Sequence, residues 1–176
     1  MADPFILTAV LPPDLQGFAE GLRRAHFPPE RNHLHAHVTL FHAFAPALLG
    51  ELTGFLPRIA AEFSAPRGAV KGVMDLGKGT AIALEAPDLL ALRALIAEHF
   101  RGSLTQQDLH EPRPHITIQN KVTKDEARAL QAGLAPVLAA WTGKGRFGFP
   151  ALALHRYCGG PWEHVKTFAF RGRERV

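Results

Sequence analysis

HLHAHVTLFH, residues 33–42, carries four of the ten histidines in the chain: His33, His35, His37 and His42. Two readings compete. If a strand begins at His33, then His33, His35 and His37 share one face and form an H-x-H pattern suited to a metal, as in a metallohydrolase. If the strand begins near His37, the informative unit is His37-Val38-Thr39-Leu40. Residues two apart in a strand lie on one face, ~6–7 Å apart. His37, Thr39 and Phe41 then point one way, and Val38, Leu40 and His42 the other.

A second stretch separates the two readings. PHITIQ, residues 114–119, repeats the unit as His115-Ile116-Thr117-Ile118, without flanking histidines. His115, Thr117 and Gln119 share one face, and Ile116 and Ile118 the opposite, core-facing one. A role common to both copies needs only H-x-T. That favours His37 and Thr39, and demotes His33, His35 and His42.

The surrounding sequence is also written twice. An apolar run from Phe5 ends at Pro12-Pro13 and reads as a buried strand. Leu15, Phe18, Ala19, Leu22 and Ala25 then recur at helical spacing until Pro28-Pro29. The strand around His37 follows, and then an amphipathic helix from Leu48 to Phe63 that Pro57 is expected to bend or break. The second half runs in the same order: a strand over 80–86, a helix opened by Pro87, a strand over 114–121, and a helix entered through Thr123-Lys124-Asp125-Glu126. The last is a capping-box signature. PDL opens the first helix of each half, at Pro13 and Pro87. Duplication predicts two β-α-β-α lobes related by an approximate twofold, within one domain spanning 1–176 whose motif strands lie near 35–42 and 114–121. Strand-like segments at 68–76, 147–154 and 164–170 would complete two mainly antiparallel sheets. The class is α+β or mixed.

Composition narrows the function classes. Of 176 residues, 47% are hydrophobic, enough for a substantial core. The single cysteine, Cys158, excludes an intrachain disulfide and argues against a cysteine-based zinc site. No apolar run reaches the roughly 20 residues of a membrane span. Asp3 stands where a signal peptide carries Lys or Arg, so a soluble cytoplasmic protein is expected. The net charge of +4 is compatible with an anionic substrate.

Two imidazoles and two hydroxyls facing one another across a twofold suit phosphodiester chemistry. A neutral histidine accepts a proton from water, and an imidazolium protonates the leaving oxygen. The threonine hydroxyls bond the nonbridging oxygens. No metal or other cofactor is required. Which histidine is base and which is acid stays open.

HVTL and HITI, with HVTLFH, PHITIQNKV and LHRYCGGPWE around and beyond them, resemble the 2H phosphoesterase superfamily. The closer resemblance is to its bacterial 2′-5′ RNA ligase-like branch, which includes RNA 2′,3′-cyclic phosphodiesterases. It implies a bilobal fold around a central cleft and hydrolysis of 2′,3′-cyclic phosphates, on RNA ends or small nucleotides, to 2′-phosphates. Some relatives also join RNA through 2′-5′ linkages. Carried onto this sequence, His37 and His115 are the acid/base pair, and Thr39 and Thr117 the phosphate-binding hydroxyls.

Further candidates for substrate contact are Gln119, on the face of His115; Phe41, as a wall of the cleft; and Arg156, Tyr157 and Trp162, around the Gly159-Gly160-Pro161 turn. An aromatic at the cleft rim can stack a nucleobase. His26, His99, His110, His155 and His164 lack a motif and read as surface or packing residues. RNA ends or cyclic nucleotides are the expected partners, with no membrane and no obligate protein partner. A non-catalytic module that binds RNA ends is the alternative to an enzyme.

Overall fold

Residues 3–173 are described by a computed structural model of the chain. The first half runs β1 (Phe5–Ala9), α1 (Pro13–His26), β2 (Val38–Phe44) and α2 (Leu49–Glu62). β3 (Arg67–Asp75) leads into the second half: β4 (Thr80–Glu85), α3 (Pro87–His99), β5 (His115–Gln119) and α4 (Lys124–Thr142). The short β6 (Phe147–Gly148), β7 (Ala151–Tyr157) and β8 (Trp162–Ala169) close the chain. The expected α+β class and duplicated order are present. The segment expected as one strand over 147–154 is split, because Pro150 has no amide hydrogen to contribute to a ladder.

The strands form two four-stranded sheets, ordered β2-β1-β7-β8 and β5-β4-β3-β6. Every pairing is antiparallel. The two orders correspond strand for strand, which is the expected pseudo-twofold. Each half keeps its first two strands and passes the third across: β3 joins the sheet of the second half, and β7 that of the first. The two H-x-T strands, β2 and β5, are therefore the equivalent edge strands of the two sheets.

Helices cover one face of each sheet. Leu7, Leu154, Leu40, Leu52 and Leu56 belong to the same buried cluster as Ile82, Leu89, Ile116 and Leu134, so the lobes share a continuous core. α2 runs unbroken through Pro57, contrary to the expected break. Proline removes one backbone bond there, but Leu52, Leu56 and Ile59 remain buried on both sides of it. α4 likewise continues through Pro136. Its capping box is formed: the Thr123 hydroxyl accepts from the Glu126 amide at 3.1 Å, and the Glu126 carboxylate from the Thr123 amide at 3.0 Å. At the start of β4, Gly79 lies so close to the Gln119 carbonyl that a Cβ would collide with it, which explains the glycine.

Candidate active site

The two motif strands match residue for residue. From the motif histidine onward, exposure runs half-buried, buried, half-buried, buried, buried in both 37–41 and 115–119. The first four positions follow the alternation expected of a strand with one solvated face. The fifth departs from it in both copies, and pairing explains why. Thr8 opposes Thr39 while its neighbour Leu7 opposes Phe41, which leaves Leu40 as an extra residue. Ala81 opposes Thr117 while Thr80 opposes Gln119, which leaves Ile118 extra. Each is a β-bulge one residue past the motif threonine, and it turns the next side chain inward.

That geometry corrects two expectations. Phe41 does not wall a cleft. It is fully buried, with its ring 4.9 Å from Phe44. Gln119 is also buried, and its side-chain oxygen accepts from the Thr80 hydroxyl at 2.9 Å. Arg156 is displaced for a simpler reason. It pairs with Phe5 on the face of β7 opposite His155, and its guanidinium carbon sits 5.5 Å over the Phe5 ring. Tyr157 is exposed at the end of β7, paired in register with Trp162. Trp162 does reach the motif: its ring lies 4.6 Å from that of His37.

The motif histidines are held identically. Nδ1 of His37 lies 2.7 Å from the carbonyl of His35, and Nδ1 of His115 lies 2.7 Å from the carbonyl of Arg113. A carbonyl can only accept, so each Nδ1 carries the proton and each Nε2 is the nitrogen left for chemistry. Burial pushes the His37 imidazole down to about 4. The His35 carbonyl opposes this, while Arg23, His155 and His115 push in the same downward direction. His37 is therefore neutral near pH 7. The backbone beneath it is pinned as well. Glu20 of α1 accepts from the Ala36 amide at 2.6 Å and from Gln16 at 2.8 Å, and Gln16 donates to the Ala36 carbonyl at 2.9 Å.

His155, expected to be a surface or packing residue, stands at this site. Its Nε2 is 3.1 Å from the Thr8 hydroxyl, and its ring is 5.4 Å from Trp162 and 5.7 Å from His164. Burial, with His164 adding to it, pushes it down to about 4. His155 has no motif because the strand that carries it joins β1 across the whole chain; only topology brings it to His37. Thr8, Val10, Ala153, His155 and Trp162 line a cavity of about 490 Å³ beside His37. On the equivalent face of the other sheet, a groove of about 840 Å³ is lined by Lys71, Met74, Ala83 and Arg113. Ala83 pairs directly with His115. Two unlike hollows thus flank the motif strands, one aromatic and histidine-rich, the other more charged.

His33 and His35 border the cavity beside His37 but form no metal-holding strand face with it. Residues 33–37 precede β2 and are not in a strand, so the three imidazoles do not share a face. The His35 side chain is 95% exposed, 3.4 Å from Glu20. Among the described residues, no group of three or more His, Cys, Asp or Glu side chains is arranged to hold a metal ion. His42 turns outward to Asp108, whose buried carboxylate accepts from the His42 and Ala43 amides and from the His42 ring. Burial alone would raise that carboxyl, but these bonds hold it below its ordinary range.

Residues 11–160 match the profile of the 2′-5′ RNA ligase superfamily. The chain belongs to that superfamily. No curated protein matches it by sequence. Among solved structures of the same fold, TT0787 of Thermus thermophilus superposes with a TM-score of 0.64 at 16% identity, covering 97% of this chain and 100% of that one. E. coli LigT in complex with 3′-AMP gives 0.59 at 13% identity, over 97% and 99%. Kluyveromyces marxianus Usb1 gives 0.50 at 14% identity, over 96% and 98%. The superfamily and its fold support a phosphoesterase or RNA-ligase-like function. No helix among the described residues is long and apolar enough to cross a membrane.

Proposed function

We propose that this member of the superfamily is a metal-independent phosphodiesterase that opens 2′,3′-cyclic phosphates, on RNA ends or small nucleotides, to 2′-phosphates. Both lobes act as one catalytic domain. The observation that carries the reading is the matched pair: two edge strands, each with a histidine whose Nδ1–H is tied to a carbonyl and whose Nε2 is left for chemistry. His37, neutral near pH 7, is the base and His115 the acid. Water attacks phosphorus while Nε2 of His37 takes its proton. The bond from phosphorus to the 3′ oxygen breaks, and His115 gives that oxygen its proton. The products are a 2′-phosphate and a free 3′ hydroxyl. His37 then loses its proton to solvent and His115 regains one.

Thr39 and Thr117 donate to the nonbridging oxygens, whose charge the transition state redistributes. Trp162 stacks the nucleobase in the cavity it lines with His37 and His155. A nucleotide ligand is in keeping with LigT, whose structures include complexes with 3′-AMP, NADP+ and ATP. If a 5′ hydroxyl replaces water as the nucleophile, the same groups form a 2′-5′ linkage.

The test is a panel of 2′,3′-cyclic mononucleotides, cyclic-ended oligonucleotides, ADP-ribose cyclic phosphate and 2′-5′-linked RNA, assayed in EDTA. Turnover of a cyclic phosphate is expected, and it falls about 10²–10⁴-fold in His37→Ala and in His115→Ala. Unchanged turnover in both variants refutes the assignment. Binding of RNA ends without turnover anywhere on the panel replaces it with a binding module.

A further inference from the structure

Two arginines far apart in sequence make the same kind of contact from opposite halves. Arg23 of α1 and Arg93 of α3 are 2% and 5% exposed. Arg23 donates from Nη1 to the carbonyl of Thr117, in the motif strand of the other half, at 2.7 Å. Its Nε donates to the side chain of Asn32, in the segment leading into β2, at 3.2 Å. Arg93 reverses this. Its Nε donates to the carbonyl of Leu40 in β2 at 3.1 Å, and its Nη2 to the carbonyl of Asp108, in the segment leading into β5, at 2.5 Å. Each guanidinium carbon also lies 4.3 Å over a phenylalanine ring, Phe27 for Arg23 and Phe41 for Arg93.

Each arginine thus grips one motif strand, within one residue of its threonine, and the approach to the other. The carbonyls they take are those of Thr117 and Leu40, at the two bulges, where the ladder is locally disrupted. A guanidinium presents several donors in a rigid planar fork, so it can fix two acceptors at a set distance. Lysine, a flexible point charge, cannot. We propose that Arg23 and Arg93 are a reciprocal pair of positioning residues that set the separation of the two H-x-T strands, and with it the separation of His37 and His115. The proposal rests on the two-histidine reading above.

The pair differs in one respect. Arg23 also acts electrostatically on His37. The charged and titratable groups around that imidazole are Arg23 and Glu20 on α1, His33 and His35 before β2, His115 on β5, His155 on β7 and His164 on β8. Arg93 is not among them.

The experiment compares Arg23→Lys, Arg93→Lys, their combination and the two methionine variants, with folding checked by circular dichroism. In the lysine variants kcat falls about 10²-fold, the scale of a 1 Å misplacement, while KM holds. The double variant is scarcely worse than the worse single one, because either change releases the same separation. In NMR spectra of the lysine variants, the NOEs between β2 and β5 that report their separation weaken. Arg23→Met moves the His37 titration upward, and Arg93→Met leaves it in place. Folded lysine variants with unchanged kcat and unchanged β2–β5 NOEs overturn the proposal. So do lysine variants that cannot fold, since the arginines are then folding residues. If the wild-type chain hydrolyses nothing on the panel, the functional reading fails by itself, and the NOEs between β2 and β5 still decide for or against the positioning role.

Discussion

Lowering the pH from 7 to 5 should weaken the fold through His37 and His155 in particular. Both imidazoles sit at about 4 against an ordinary 6.5, His37 chiefly through burial and then through Arg23, His155 and His115, and His155 through burial and His164. The sign follows from which state takes up protons first. The folded values lie below the unfolded ones, so on acidification the unfolded chain is protonated earlier. The stability these groups contribute is complete above pH 6.5 and drains away as the pH falls towards 4. At pH 5 an unfolded imidazole is almost wholly charged, while about nine-tenths of a folded one is still neutral, and linkage makes that difference about 2 kcal/mol for each residue. Together they remove about 4 kcal/mol, a large share of the 5–15 kcal/mol that holds a typical domain.

Urea denaturation followed by circular dichroism at pH 7, 6 and 5 measures this directly. The comparison is wild type against His37→Asn, His155→Gln and the double variant. The asparagine amide replaces the Nδ1–H donor to the His35 carbonyl, and the glutamine amide reaches the Thr8 hydroxyl, so both hydrogen bonds survive without a titrating group. Each single variant should lose about 2 kcal/mol less than wild type between pH 7 and 5, and the double variant about 4 kcal/mol less. Other titrating groups cancel in the subtraction. If the double variant loses as much as wild type, or if NMR finds both imidazoles titrating near 6.5, then burial does not hold His37 and His155 neutral as described.

Three further outcomes separate contact residues from core residues. Thr39→Val and Thr117→Val each keep the volume and remove a hydroxyl; kcat on the preferred cyclic phosphate should fall about 10²-fold in either, with thermal stability little changed. Trp162→Ala should weaken nucleotide binding by about 1–3 kcal/mol in isothermal titration, because the stacking face beside His37 is lost. Phe41→Ala should cost about 3–5 kcal/mol in urea denaturation while the remaining folded molecules bind nucleotide as wild type does, the pattern of a core residue.

The fold was largely legible because its signals are local and doubled. Helix periodicity in α1, the capping box at Thr123 and the aliphatic alternation around both H-x-T units each report on neighbouring residues. What escaped was long-range or depended on pairing. A bulge is a mismatch between two strands, so neither HVTLF nor HITIQ reveals on its own that Phe41 and Gln119 turn inward. His155 and Thr8 meet only because β7 joins the sheet of the first half. Arg23 and Arg93 sit within helices whose sequence shows nothing of the carbonyls they reach. Trp162 was legible as an aromatic beside a Gly-Gly-Pro turn; its contact with His37 was not.

The exchanged strands bear on how such a site can work. Two-histidine chemistry tolerates little change in the gap between base and acid, since both must reach the same phosphorus centre. Lobes joined by one linker would be free to hinge. Here β3 leaves the first half for the second sheet, and β7 leaves the second half for the first, so the chain crosses between the lobes in both directions and one core runs through them. That restrains gross opening but leaves the edge strands, each bulged and paired with one strand only, to be fixed by other contacts. The restraint the edges still need is local and must run across the gap. Hydrogen bonds from the helices of one half to the motif strand of the other meet that requirement, which is why the separation of His37 and His115 should respond to Arg23 and Arg93 more than to substitutions deep in the shared core.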